Sequence, residues 1–130
     1  MEDVRRWAEG RTDIRALALV GSHARGTARP DSDIDLVVLS TEPVRYLGRT
    51  EWVSLFGEVA RISLEDWGEV RSVRVVYQNG TEVEFGIADP AWAAVPLDRG
   101  TADVLGDGCR ILLYRDGSLR RALGFARRSV

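Results

Sequence analysis

The sequence predicts an α+β protein: one mixed, twisted β-sheet with helices packed on it, forming a single small domain over residues 1–130. Three observations carry this. Residues 14–20 (IRALALV) and 33–39 (DIDLVVL) are short apolar or β-branched runs bounded by turn chemistry. Residues 71–78 and 81–88 are β-rich and flank Asn79-Gly80, the dipeptide that marks a hairpin. Residues 2–9 repeat apolar residues at helical spacing.

Taken in order, residues 2–9 (EDVRRWAE) form an amphipathic helix with Val4, Trp7 and Ala8 turned inward, ended by Gly10. The first strand follows at 14–20. After it, Gly21 allows close backbone approach and Ser22 is suited to cap a helix start. A helix N-terminus presents unpaired N–H groups and the positive end of the dipole, which suits phosphate. Ser22 adds a hydroxyl donor there, and Arg25 a guanidinium that could equally tie the loop to a carboxylate. Gly26 stops the turn, and Pro30-Asp31-Ser32 leads back to the sheet.

In residues 33–39 alternate side chains share a face, so Asp33 and Asp35 lie together while Ile34 and Leu36 face a core. Adjacent like charges repel and resist desolvation. A divalent cation such as Mg²⁺, which takes oxygen ligands, is one reason to keep such a pair. The plainer alternative starts the strand at Leu36 and leaves both Asp in a solvated turn.

Beyond this, residues 40–56 lean helical, with Tyr46, Leu47, Trp52, Val53, Leu55 and Phe56 expected inside and Gly57 as breaker. Residues 59–64 are a weakly alternating strand and 65–68 a turn. Asn79-Gly80 predicts a two-residue type I′ turn. In the second hairpin strand Val83, Phe85 and Ile87 share one face, and Glu82, Glu84 and Gly86 the other. Glu82 beside the turn is expected to be solvated. Glu84, set between Val83 and Phe85 away from the turn, is the more costly carboxylate to leave unpartnered. Its plain alternative is a surface Glu on an edge strand. Residues 91–94 suggest one helical turn, 110–114 a last strand, and 118–128 a terminal helix capped by Ser118.

The stretch Gly21-Ser22-His23-Ala24-Arg25-Gly26, followed by Ser32-Asp33-Ile34-Asp35-Leu36, resembles the signature of the DNA polymerase beta-like nucleotidyltransferase superfamily. It is most similar to its minimal and aminoglycoside-modifying branches. The resemblance implies a third carboxylate on a later strand, which Glu84 supplies where Asp is frequent. It implies two Mg²⁺ ions (Mn²⁺ as a substitute) held by Asp33, Asp35 and Glu84. Gly21, Ser22 and Arg25 would bind the nucleotide, a nucleoside triphosphate with ATP as the default. The expected reaction moves an NMP onto a hydroxyl of a small molecule or protein and releases pyrophosphate. An alternative is an antitoxin-type enzyme that binds and adenylylates a HEPN-type toxin. A homodimer could supply a missing wall of the acceptor site. A non-catalytic regulatory domain is disfavoured, because the carboxylates and the Gly-Ser are intact.

Composition narrows the partners. A net charge of −2 disfavours general nucleic-acid binding. All 18 basic residues are Arg, so no Lys can hold phosphate. Cys109 is alone, which excludes an internal disulfide, and His23 is the lone His, with no catalytic role expected. Neither a signal peptide nor a membrane-length apolar run is seen, and a cytoplasmic protein is expected.

Overall fold

The computed structural model describes residues 2–21, 26, 33–67, 70–93 and 109–114. Its centre is a six-stranded sheet with β1 at Ile14–Val20, β2 at Ile34–Ser40, β3 at Val59–Trp67, β4 at Val70–Tyr77, β5 at Glu82–Ala88 and β6 at Cys109–Tyr114. The order across the sheet is β3-β4-β5-β2-β1-β6. The β2–β5 pair is parallel and the others are antiparallel, so the sheet is mixed as expected.

Helix α1 (Glu2–Glu9), the short helix α2 (Val44–Gly48) and a 3₁₀ segment (Glu51–Phe56) supply the cover for one face. Leu17 and Leu19 of β1, Leu36 and Val38 of β2, and Val83, Phe85 and Ile87 of β5 form the core with Val4, Ala8, Tyr46, Trp52 and Val53. Trp7 stacks on Trp52 with centroids 5.0 Å apart, and Trp52 meets Phe85 edge-on at 4.9 Å. Trp52 donates its indole N–H to the Tyr46 carbonyl at 3.0 Å, which satisfies its polar atom inside the core. Tyr77 likewise donates its hydroxyl to the Val53 carbonyl at 2.9 Å. Burial pushes the Tyr77 phenol up to about 12.

Three expectations are corrected. Leu55 is 63% exposed, because the 3₁₀ segment turns Trp52 and Val53 inward instead. Residues 65–67 continue β3 rather than turning, since pairing with β4 extends to Trp67↔Val70. Asn79-Gly80 does not make a type I′ turn, which needs positive φ at both residues: among the described residues only glycines have positive φ. Tyr77 and Thr81 instead bracket a three-residue loop, closed by Tyr77 N–H to Thr81 O at 2.8 Å and Gly80 N–H to Tyr77 O at 3.0 Å, with Gly80 at φ +90°. This loop lets Val73 and Val75 pair with Phe85 and Val83, uniting the apolar faces. Glu84 lies on a central strand, β5, which removes the alternative of a surface Glu on an edge strand. The expected helix at 118–128 lies outside the described residues.

One polar junction ties β1 to the elements after β2. The Asp13 carboxylate accepts hydrogen bonds from Ser40 Oγ at 2.8 Å and from the Tyr46 hydroxyl, and Arg45 lies 3.4 Å away. Burial works to raise Asp13, but the Tyr46 and Ser40 bonds outweigh it and hold the group below its ordinary value. Burial first, and the bond to Asp13 next, push Tyr46 up to about 12. A carboxylate with a lowered folded-state pKa contributes stability that is present above its unfolded value and is lost as pH falls through the folded one. Tyr46→Phe is therefore expected to cost about 1–3 kcal/mol at pH 7, read by urea unfolding. The gap to wild type should narrow below roughly pH 4, as Asp13 takes up its proton.

Candidate functional site

The face of the sheet opposite α1 and α2 collects the charge. Register determines how. Asp35 of β2 pairs with Glu84 of β5, and Glu84 pairs with Arg74 of β4. Residues directly opposite on adjacent strands point to the same side, about 4.8 Å apart between strands. Asp35, Glu84 and Arg74 thus stand in one row. Glu82 on β5 and Glu65 on β3 share that face, and Asp33, immediately before β2, reaches the same Arg74.

Arg74 is the hub. Its Nε donates to Glu65 Oε1 at 2.7 Å, Nη1 to Asp33 Oδ2 at 3.1 Å and Glu82 Oε1 at 3.2 Å, and Nη2 to Glu84 Oε2 at 2.8 Å. Its side chain is 26% exposed and that of Glu84 is 20%, so these contacts are only partly screened by water. The Glu65 bond above all, with Glu82 and Glu84 beside it, raises the guanidinium further above its already high range, against the opposing effect of burial. Among the described residues, Arg74 is the cation hydrogen-bonded to Asp33, Glu65, Glu82 and Glu84 together.

Asp35 is seated against the end of β1. Gly21 follows Val20, the register partner of Asp35, and has φ +76°. A Cβ built on Gly21 would lie 2.7 Å from Asp35 Oδ2. Only glycine combines that backbone conformation with that clearance. Ser22 and Arg25, the other expected nucleotide-binding residues, lie outside the described residues, as does His23.

Of the expected trio, Asp35 and Glu84 are register partners on β2 and β5, and Asp33, just before β2, joins Glu84 through Arg74. Glu82, expected to be solvated, is bound to Arg74. Arg74 and Glu65 were not anticipated. The cue for Arg74 was present in its alternation with Val73 and Val75, which commits it to the face opposite the core.

The chemistry of the donor set suits a hard divalent cation, being carboxylate oxygen throughout. In the described structure the cation among these oxygens is the Arg74 guanidinium, and no three acidic, His or Cys side chains among the described residues are grouped to enclose an ion. A cavity of about 140 Å³ lies on the core side, lined by residues that include Asp3, Leu36, Tyr77 and Phe85, away from these acids. No helix among the described residues is long and apolar enough to cross a membrane.

Comparison with known proteins places this geometry in a family. Residues 4–86 match the family model described as a nucleotidyltransferase domain. The fold is similar to the crystal structure of an aminoglycoside 6-adenyltransferase from Bacillus subtilis, with a TM-score of 0.56 and 16% identity over 72% of this chain and 35% of that one. The Cid1 poly(U) polymerase aligns at a TM-score of 0.44 and 20% identity over 65% of this chain and 27% of its own. Its complex with the UTP analog UMPNPP aligns at 0.45 and 18% over the same shares. The chain thus spans about a third of the length of the solved structures it resembles. No curated protein matches it. With well over half of its length matched and the sheet topology shared, this chain belongs to the nucleotidyltransferase domain family.

Proposed function

We propose that this chain is a metal-dependent nucleotidyltransferase that moves an NMP, AMP from ATP by default, onto an acceptor hydroxyl and releases pyrophosphate. The observation that carries the reading is the in-register placement of Asp35 beside Glu84, with Asp33 joined to Glu84 through Arg74 and Gly21 cleared to let Asp35 sit at the end of β1.

Asp33, Asp35 and Glu84 would hold two Mg²⁺ ions, with Mn²⁺ as a substitute. When bound, such a pair stabilises the attacking and leaving oxygens of an in-line displacement. Gly21 and Ser22 hold the β- and γ-phosphates, and Arg25 offsets their charge. Glu84 helps place the acceptor and take its hydroxyl proton. The acceptor oxygen forms the new bond to the α-phosphorus while the α–β anhydride bond breaks and pyrophosphate leaves. Arg74 restrains the acids and offsets their mutual repulsion, so the carboxylates stay together before any ion arrives. The acceptor is a small hydroxylated compound or a protein hydroxyl, and a screen against both kinds chooses between them.

Calorimetric titration of ATP with Mg²⁺ is expected to show metal-dependent binding that Asp35→Asn loses, with turnover down at least about 100-fold. GTP, CTP and UTP run alongside report base preference. No triphosphate binding at millimolar concentration with either metal would sink the enzyme reading. Gly21→Ala should cost about 1–2 kcal/mol from its left-handed backbone and also weaken metal-dependent ATP binding, because the new methyl displaces Asp35. Arg74→Met should lower stability in chelator by about 2 kcal/mol at low salt, and added Mg²⁺ should restore part of that in thermal melts.

A further inference from the structure

Strand β3 ends the sheet and carries no partner strand on its outer side among the described residues. Edge strands of soluble proteins are usually blunted by charged side chains, Pro, bulges or a covering segment. The nine residues of β3 (VARISLEDW) contain no Pro, and their charges, Arg61, Glu65 and Asp66, are of both signs. A register irregularity between Val59 and Arg61 kinks its start, and from Arg61 to Trp67 the pairing with β4 is regular. Ile62 and Leu64 are 38% and 60% exposed, although their cross-strand partners Val75 and Val73 are fully buried. Among the described residues the edge therefore presents backbone groups with no partner strand, together with apolar side chains.

We propose that this edge pairs antiparallel with the same edge of a second copy of the chain, about a two-fold axis through Ser63. The argument is self-complementarity. Opposed residues of an antiparallel ladder point their backbone groups either at each other or both away, so a two-fold axis has to pass midway between a residue and its own copy. That leaves few registers. Centred on Ser63, Arg61 of each copy faces Glu65 of the other, and Ile62 faces Leu64. Two opposite-charge pairs and two apolar pairs form at once. Centred on Leu64, Ile62 would face Asp66 and Arg61 would face Trp67. Centred on Ile62, Leu64 would face Ala60, and Glu65 would face Val59.

Arg61 is exposed and makes no ion pair among the described residues, so it can turn to a neighbour. Glu65 is held at one oxygen by Arg74, and a carboxylate accepts several donors. In the paired form Arg61 of the second copy reaches Glu65, one link from the Arg74 hub, so assembly and the acidic cluster share a residue. The pairing does not depend on the catalytic reading.

The full chain is tested by sedimentation velocity from micromolar to millimolar concentration. A concentration-dependent dimer is expected, and Arg61→Glu should weaken it by about tenfold or more, with an unchanged circular dichroism spectrum. Ser63→Cys in a Cys109→Ser background should form a disulfide-linked dimer under mild oxidation, because opposed Cα atoms about 4.5–5.5 Å apart lie within disulfide reach. A chain that stays monomeric throughout overturns the proposal. So does a dimer indifferent to Arg61→Glu, or a Ser63→Cys chain that stays uncrosslinked.

Discussion

The parallel ladder between β2 and β5 sets Asp35 beside Glu84, and everything else on the charged face is arranged around it. Parallel neighbours need a long connection, and here that connection contains β3 and β4, which then extend the sheet outward from β5. A slip of one residue between β2 and β5 would turn Glu84 to the core and Phe85 to the acids. The buried pair Leu36 and Phe85 prevents that slip, since either side chain on the wrong face would exchange a dry contact for a solvated one. Apolar burial on one side thus holds the carboxylates in place on the other.

Concentrating acid on one face has an electrostatic cost, and Arg74 offsets part of it. A guanidinium presents several donors in a rigid fork and stays charged, which lets one side chain serve Glu65, Glu82, Glu84 and Asp33 together. A lone ammonium could not span four carboxylates with fixed geometry. The Asp13 junction solves a related problem at the far end of β1, where neutral donors from Ser40 and Tyr46 hold a mostly buried carboxylate.

The difference between expectation and structure at the β4–β5 hairpin shows why some of the site was hidden. A two-residue Asn-Gly turn would place Arg74 opposite Phe85, on the core side, where no one would assign it a role. The three-residue loop shifts the register by one and places Arg74 opposite Glu84. The dipeptide is a local signal, whereas the burial of Val73 and Val75 against the helices is a nonlocal one, and the nonlocal term is larger. Leu55 and residues 65–67 went astray for the same reason: which side of a short segment is covered depends on partners distant in sequence.

Read alone, the sequence determined the strands at 14–20 and near 33–39 and the helix at 2–9, because these follow from spacing within one element. It also carried the family, through the glycine-serine and paired-aspartate pattern that the match over residues 4–86 bears out. Only the tertiary structure decided that Glu84 stands beside Asp35, that Arg74 binds four carboxylates, and that Gly21 clears room for Asp35. Those are relations between strands separated by tens of residues. Strand pairing sets them, and pairing follows from which apolar faces find cover.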